Sequence, residues 1–366
     1  MIKILVVDDS ALVRKLFGGV LANEADFEVQ FARNGVEALD QLDGFKPDVI
    51  TLDVHMPQMN GLECLDRIMV ERPCPVVMVS SLTAEGADAT LEALRLGAVD
   101  FVPKPEGAVS LRIDEFAPKL VQKIRAAATA KLRASLRLRE KVQHRMGGTV
   151  QGRRRRAMND AREPVPSRAI GNGLVLVGTS TGGPPALEAL LSPLPATFPW
   201  PILVAQHMPA SFTGPLAKRL DGLCAVRVVE ALHSVLVVPG CVYIGRGDAD
   251  FIVSQRAAGL VAMPAPSQAG YPWHPSTDRL VRSAMEHLPA NQLIGILMTG
   301  MGNDGAEAMS HLRAQGGKTI AEAEETAVVW GMPGELVKAG GADWIVPLPK
   351  IADRLQQIIP NHAAHT

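Results

Sequence analysis

Short apolar runs that stop at a polar or glycine-rich turn, each followed by a stretch of helical periodicity, recur along this chain. That rhythm restricts it to folds in which helices cover a parallel sheet. In the first third the runs fall at 2–7, 27–32, 49–52, 76–79 and 99–102. They resume at 174–177, 202–205, 242–244, 251–254 and 293–298, with helical patterns at 184–191, 212–220, 276–287, 305–314 and 351–359. A chain of 366 residues is long enough for two such domains, each with its own core. The expected fold class is α/β: two doubly wound parallel-sheet domains over residues 1–110 and 171–366, joined by 111–170.

The joining segment has a different character. Leu120, Ile124, Leu132 and Leu136 keep helical spacing among many Lys and Arg, and Gly147-Gly148 ends the pattern. Arg153-Arg154-Arg155-Arg156 and Glu163-Pro164-Val165-Pro166 follow, so a long helix and then a basic tether are expected. A DNA-binding regulator would draw on that arginine run. No aromatic residues are interleaved for base stacking, there is no recognisable reading helix, and the net charge is only -1, so no nucleic-acid partner is expected. Cys64, Cys74, Cys224 and Cys241 form no Cys-x-x-Cys pair, which argues against a zinc site or a disulfide framework and fits a reducing cytoplasm. The first apolar run is too short for a signal peptide, and no later one approaches the roughly 20 residues that span a bilayer.

Strand ends are where doubly wound sheets place their chemistry. In the first domain Asp8 and Asp9 follow the first strand, Asp53 the third, Ser80 the fourth and Lys104 the fifth. Any one of these can be a solvated loop end. Three carboxylates crowded over one crevice repel unless a hard cation joins them, and an oxygen ligand set suits Mg2+. In the second domain Gly178-Thr179-Ser180-Thr181-Gly182-Gly183 sits between a strand and a helix, the spacing of a nucleophile elbow, although such turns also serve as phosphate cradles or plain turns. Two further strands end in Gln206-His207-Met208-Pro209 and in Thr299-Gly300-Met301-Gly302-Asn303-Asp304-Gly305. A serine becomes a nucleophile when an imidazole takes its proton and a carboxylate fixes that imidazole. Structural alternatives stand beside each role: a strand-capping histidine, a helix N-cap aspartate, a loose apolar Met301. Of the remaining histidines none closes an apolar strand pattern in this domain.

Asp8, Asp9, Asp53, Ser80 and Lys104, with Asp53-Val54-His55-Met56-Pro57 and Asn60-Gly61, resemble the receiver domain of bacterial response regulators, a flavodoxin-like fold. The resemblance implies that Asp53 accepts a phosphoryl group, that Asp8, Asp9 and Asp53 hold Mg2+, and that Ser80, Phe101 and Lys104 are the switch residues. The three blocks around Ser180, His207 and Asp304, in that order after a receiver and a linker, resemble chemotaxis protein-glutamate methylesterases, the CheB family. That implies Ser180 as nucleophile, His207 as general base, Asp304 as its orienter and the Met301 N–H in the oxyanion hole, with no cofactor in the catalytic domain. It further implies a cytoplasmic enzyme that demethylates and deamidates chemoreceptors, takes its phosphoryl group from a chemotaxis histidine kinase, and opens its cleft on phosphorylation. Shifting such a balance from 1:99 to 99:1 takes about 5.5 kcal/mol.

Three loops depart from the family pattern: Leu232-His233-Ser234-Val235, Gly245-Arg246-Gly247-Asp248-Ala249-Asp250 and Tyr271-Pro272-Trp273-His274. They are expected to shape the substrate cleft. Their divergence also leaves a second reading, a phosphorylation-controlled protein that binds a receptor or kinase with little turnover.

Overall fold

The computed structural model describes residues 1–104, 113–132 and 173–359. It forms a first unit, Met1–Arg154, and a second, Arg155–Thr366. Leu136, Gly147-Gly148, residues 153–156 and residues 163–166 of the expected tether lie outside the described residues.

The first unit runs β1 (Ile2–Val7), α1 (Ala11–Leu21), β2 (Phe27–Ala32), α2 (Gly35–Phe45), β3 (Val49–Asp53), α3 (Gly61–Glu71), β4 (Val76–Ser80), α4 (Ala84–Leu96), β5 (Asp100–Pro103) and α5 (Ile113–Ala128). The sheet order is β2-β1-β3-β4-β5, all parallel. Strands β3 and β4 are buried along their whole length, as continuous apolar runs in a parallel sheet require. Ser10, Asn34, Asn60 and Thr83 each cap a helix by accepting the N–H three residues on, which fixes where α1 to α4 start. The order reverses between β1 and β3, so the crevice beyond their carboxyl ends holds Asp8, Asp9 and Asp53.

The helix expected to run on through Leu132 stops short of it. Phe116, Leu120, Ile124 and Ala127 are buried on the side of α5 that packs on β3 to β5. Past Ala128 the N–H groups of Thr129 and Ala130 bond to Ala126 and Ala127 three residues back, tightening the last turn and ending the helix before Leu132.

The second unit runs β6 (Leu174–Thr179), α6 (Gly183–Leu191), β7 (Ile202–Gln206), α7 (Ala210–Leu223), β8 (Arg227–Ala231), β9 (Val235–Leu236), β10 (Cys241–Gly245), β11 (Asp250–Arg256) and β12 (Gly259–Ala265). It continues with α8 (Thr277–His287), β13 (Leu293–Leu297), α9 (Ala306–Ala314), β14 (Lys318–Glu322), α10 (Met332–Lys338), β15 (Trp344–Val346) and α11 (Leu348–Ile358). Seven strands form a parallel sheet in the order β15-β14-β13-β6-β7-β10-β8. Its order reverses between β6 and β13, the two strands that precede Ser180 and the Met301–Asp304 loop. One strand expected in this sheet is not there: β11 pairs antiparallel with β12, which pairs with β9, in a separate three-stranded sheet. Phe251 and Val253 are buried while Ile252 and Ser254 are only half-buried. Such alternation suits an antiparallel sheet with one face covered rather than a strand buried on both faces.

Candidate active site and acidic cluster

At the end of β1 and β3 two carboxylates are buried side by side, Asp8 and Asp53, each 2% exposed, with Asp9 exposed beside them. Oxygen atoms of the three lie within 4.8 Å of one another. The Ser10 N–H donates to Asp8 Oδ1 at 2.9 Å, and the His55 N–H to Asp53 Oδ1 at 3.3 Å. Lys104 Nζ reaches Asp53 Oδ2 at 2.7 Å and Asp8 Oδ2 at 3.0 Å. Asp8 Oδ2 is buried, and among the described residues Lys104 is its one polar contact. One lysine does not neutralise three carboxylates, and a convergent all-oxygen set with an orphaned buried oxygen fits a hard divalent cation such as Mg2+. Burial pushes the Asp53 carboxyl above its ordinary pKa, and the Asp8 charge adds to this against the pull of Lys104. Burial also opposes the charge on Lys104, but Asp53 and Asp8 outweigh it, and its pKa is raised.

Ser80 and Phe101 stand apart from this cluster. The buried Ser80 hydroxyl donates to the Gly86 carbonyl in α4 at 3.0 Å, not to Asp53. Phe101 is buried, with Lys123 Nζ 5.4 Å over its ring. Because the raised pKa means that folded Asp53 holds its proton more tightly than unfolded, its carboxylate opposes folding increasingly as pH rises from its unfolded to its folded pKa. Asp53→Asn is therefore expected to raise the melting temperature of the first unit by a few degrees at pH 7 without divalent cations. Calorimetry should show the gain shrinking as pH falls toward the ordinary carboxylate value of about 4 and absent below it.

In the second unit Ser180 follows β6 and His207 follows β7, and the pairing of Thr179 with Gln206 brings them together. The His207 N–H donates to the Thr179 carbonyl at 3.1 Å. Gly182, with a φ of 75° that L side chains rarely adopt, turns the chain into α6. Gly183 must lack a side chain, since a Cβ there would lie 2.0 Å from Gln206 Oε1. His207 Nε2 lies 2.7 Å from Asp304 Oδ2, with both side chains buried. His207 Nδ1 is buried without a hydrogen-bond partner among the described residues. A neutral imidazole that gives its Nε2 proton to Asp304 carries its lone pair on Nδ1, so Nδ1 is the basic nitrogen. Burial alone would raise the Asp304 pKa, but the His207 ring and the Thr277 and Asp278 N–H groups outweigh it, and the net shift is downward. The Met301 N–H has no backbone acceptor among the described residues. His207, its partner Asp304 and the turns that carry Ser180 and Met301 thus follow neighbouring strands at the reversal point of the sheet.

The family described as CheB methylesterase matches residues 175–355, and the response regulator receiver domain matches residues 4–113. "Protein-glutamate methylesterase/protein-glutamine glutaminase 2" of Rhodopseudomonas palustris (strain BisB18) is 55% identical over 359 residues, 96% of each chain. The chain belongs to the protein-glutamate methylesterase (CheB) family. A second relative, number 3 of that name from Rhodospirillum rubrum, is 49% identical over 97% of this chain and 95% of its own. The crystal structure of the Thermotoga maritima CheB methylesterase catalytic domain covers 51% of this chain and 99% of that one, at 36% identity and a TM-score of 0.50.

Around the residues expected from the family pattern lies a set that sequence reasoning passed over. Asp304 sits at the amino terminus of α8: Oδ1 accepts from the Ser276 hydroxyl at 2.8 Å and the Asp278 N–H at 3.1 Å, and Oδ2 accepts from the Thr277 N–H at 2.6 Å. Asp278 in turn accepts the Ala308 N–H of α9 at 2.8 Å, so the first turns of the two helices cap each other. Ser276 ahead of a helical pattern was a readable N-cap, but nothing local said which carboxylate would meet it. Thr299 ties the Ser180 turn to the loop after β13. Its carbonyl accepts the Ser180 N–H at 3.0 Å, its N–H donates to the buried Glu322 at 2.8 Å, and its hydroxyl donates to the Thr181 carbonyl at 2.8 Å.

Two of the divergent loops, 245–250 and 271–274, brace this arrangement. Asp248 accepts the Ala210 N–H at 3.0 Å, capping α7 just after His207-Met208-Pro209, a helix start with no side-chain cap of its own. The buried Asp250 accepts from Arg279, from His274 Nδ1 at 2.8 Å and from the Ser276 N–H at 3.3 Å. Residues 232–235 lead into β9 of the small sheet.

Proposed function

We propose that this chain hydrolyses glutamate methyl esters on chemoreceptors, releasing methanol, and deamidates receptor glutamines, by a Ser180-His207-Asp304 acyl-enzyme mechanism controlled by phosphorylation at Asp53. The observation that carries the chemistry is the His207 Nε2 to Asp304 Oδ2 hydrogen bond at 2.7 Å, which leaves Nδ1 as an unpartnered base beside the Ser180 strand end. Ser180 Oγ attacks the side-chain carbonyl as Nδ1 takes its proton, and Asp304 offsets the imidazolium charge. The Met301 N–H faces the developing oxyanion. Collapse breaks the bond to methoxide or amide, which leaves as methanol or ammonia with the proton from Nδ1. Water then gives a proton to Nδ1, attacks the acyl-enzyme and frees the glutamate carboxylate and Ser180.

Control rests on the acidic cluster. Asp8, Asp9 and Asp53 would hold Mg2+, which supplies charge neutralisation for phosphoryl transfer from a histidine kinase. A phosphoryl group on Asp53 adds about -1.5 to -2 of charge and three acceptor oxygens. Lys104 already lies on Asp53 and follows it, while Ser80 exchanges the Gly86 carbonyl for a phosphoryl oxygen and frees the first turn of α4. We place the protein in the cytoplasm. No described helix is long and apolar enough to cross a membrane, and its four cysteines are free and buried. Two of the divergent loops, 245–250 and 271–274, support turnover over the receptor-binding alternative, because their Asp248, Asp250 and His274 hold the helix starts beside His207 and Asp304.

The test is methanol release from membranes bearing methylated chemoreceptors, with Mg2+, with and without acetyl phosphate. Wild type should release methanol faster with the phosphodonor, and Asp53→Asn should show no such rise. Absence of release under every condition would overturn the enzymatic reading and put the receptor-binding one first.

A further inference from the structure

Trp273 belongs to a loop that the acyl-transfer chemistry above does not use. Its ring lies flat against the His207 imidazole, with centroids 5.7 Å apart and planes within 1° of parallel. The indole also occupies the space beside Gly302. A Cβ there would lie 2.7 Å from Trp273 Cζ2, and the Gly302 φ of 88° is itself in the range that favours glycine. One side chain therefore lies against both the base and the loop that carries the Met301 N–H. Its neighbour His274 is anchored through Nδ1 to the fully buried Asp250, which Arg279 and the Ser276 N–H also hold. The wall behind His207 is thus tied to the same helix start that grips Asp304.

The imidazole needs such a wall. Nε2 is bound to Asp304 and Nδ1 has no partner, so a single hydrogen bond leaves the ring free to rock about the Nε2 to Oδ2 axis. A parallel aromatic face removes that freedom without occupying either nitrogen, because stacked rings hold their planes and leave the in-plane lone pair open. We infer that Trp273 is a positioning residue for His207, held in place by the Asp250–His274 pair, that aims Nδ1 at the serine. This inference rests on the Ser180-His207-Asp304 reading.

The test uses the full chain and its Ser180-dependent turnover of p-nitrophenyl acetate, taken as the rate lost in Ser180→Ala. Trp273→Leu keeps an apolar cover and should melt near wild type, yet lower kcat about tenfold or more with KM within about twofold. Trp273→Phe restores a planar face and should recover kcat to within about threefold. A readout independent of turnover is the pH-dependent fluorescence difference between wild type and Trp273→Phe. Protonation of His207 should quench the stacked indole, and His207→Gln should abolish the step. Wild-type kcat in Trp273→Leu, a Trp273→Phe as slow as Trp273→Leu, or a fluorescence step that survives His207→Gln would each overturn this inference alone. Turnover undiminished in Ser180→Ala would overturn the triad reading and this inference with it.

Discussion

Ser180→Ala is expected to lower methanol release from methylated receptors by about 10⁵-fold or more while leaving the fold and its melting temperature unchanged. The two halves of that expectation have separate physical origins. The Ser180 backbone is held on both sides: its N–H donates to the Thr299 carbonyl at 3.0 Å, and its carbonyl accepts from the Gly183 N–H at 2.8 Å and from Gln206 Nε2 at 3.1 Å. Its hydroxyl takes part in none of these bonds. Removing Oγ therefore deletes the proposed nucleophile and no hydrogen bond among the described residues. What survives is the rate that binding and the Met301 N–H can supply to direct attack by water, a small remnant in enzymes of this logic. The measurement is methanol release per enzyme beside a thermal melt. A variant that melts with wild type and keeps more than about 1% of the rate would move the nucleophile elsewhere, with Thr181 the next hydroxyl along the turn.

Much of this site was legible before any coordinates because parallel sheets put their chemistry at strand ends, and strand ends are marked by where apolar runs stop. Asp8, Asp53, Ser180 and His207 each follow such a stop, and register alone brings the last two together. Other parts were illegible for reasons specific to particular residues. Strands β8 and β14 carry Arg227, Glu230, Lys318 and Glu322, so charges cut their apolar runs short. Among these, Glu322 is fully buried because the Thr299 N–H meets it, 23 residues away in sequence. Strand β11 has the right residues for a parallel strand but buries one face, a distinction that an apolar run of four does not carry. The divergent loops read as cleft-shaping because they differ from the family pattern. In three dimensions Asp248 and Asp250, two residues apart, serve opposite sides of the His207–Asp304 pair: one caps the helix after His207, and the other holds the segment that caps Asp304.

Asp304→Asn is expected to cost about 10⁴-fold in kcat and, unlike Ser180→Ala, to destabilise the fold as well. Four donors converge on the two carboxylate oxygens: Ser276 Oγ and the Asp278 N–H on Oδ1, His207 Nε2 and the Thr277 N–H on Oδ2. An asparagine brings one oxygen and one NH2 group. In one flip the NH2 faces the Thr277 N–H and His207, which must give up its Nε2 proton and so lose Nδ1 as the base. In the other it faces the Asp278 N–H and the Ser276 hydroxyl, which can rotate away, but the backbone N–H cannot. Either way a buried donor is left without an acceptor, at about 1–3 kcal/mol. The pH dependence follows from the lowered Asp304 pKa. A carboxyl whose folded pKa lies below its unfolded one adds stability that is fully present above the unfolded value and is lost as pH falls through the folded value. The melting-temperature gap between wild type and Asp304→Asn should therefore stay level above about pH 5 and narrow below about pH 4. Calorimetry across that range measures it. A gap that persists unchanged into acid would mean that the lost contacts, and not the carboxylate charge, had held α8 and α9 together.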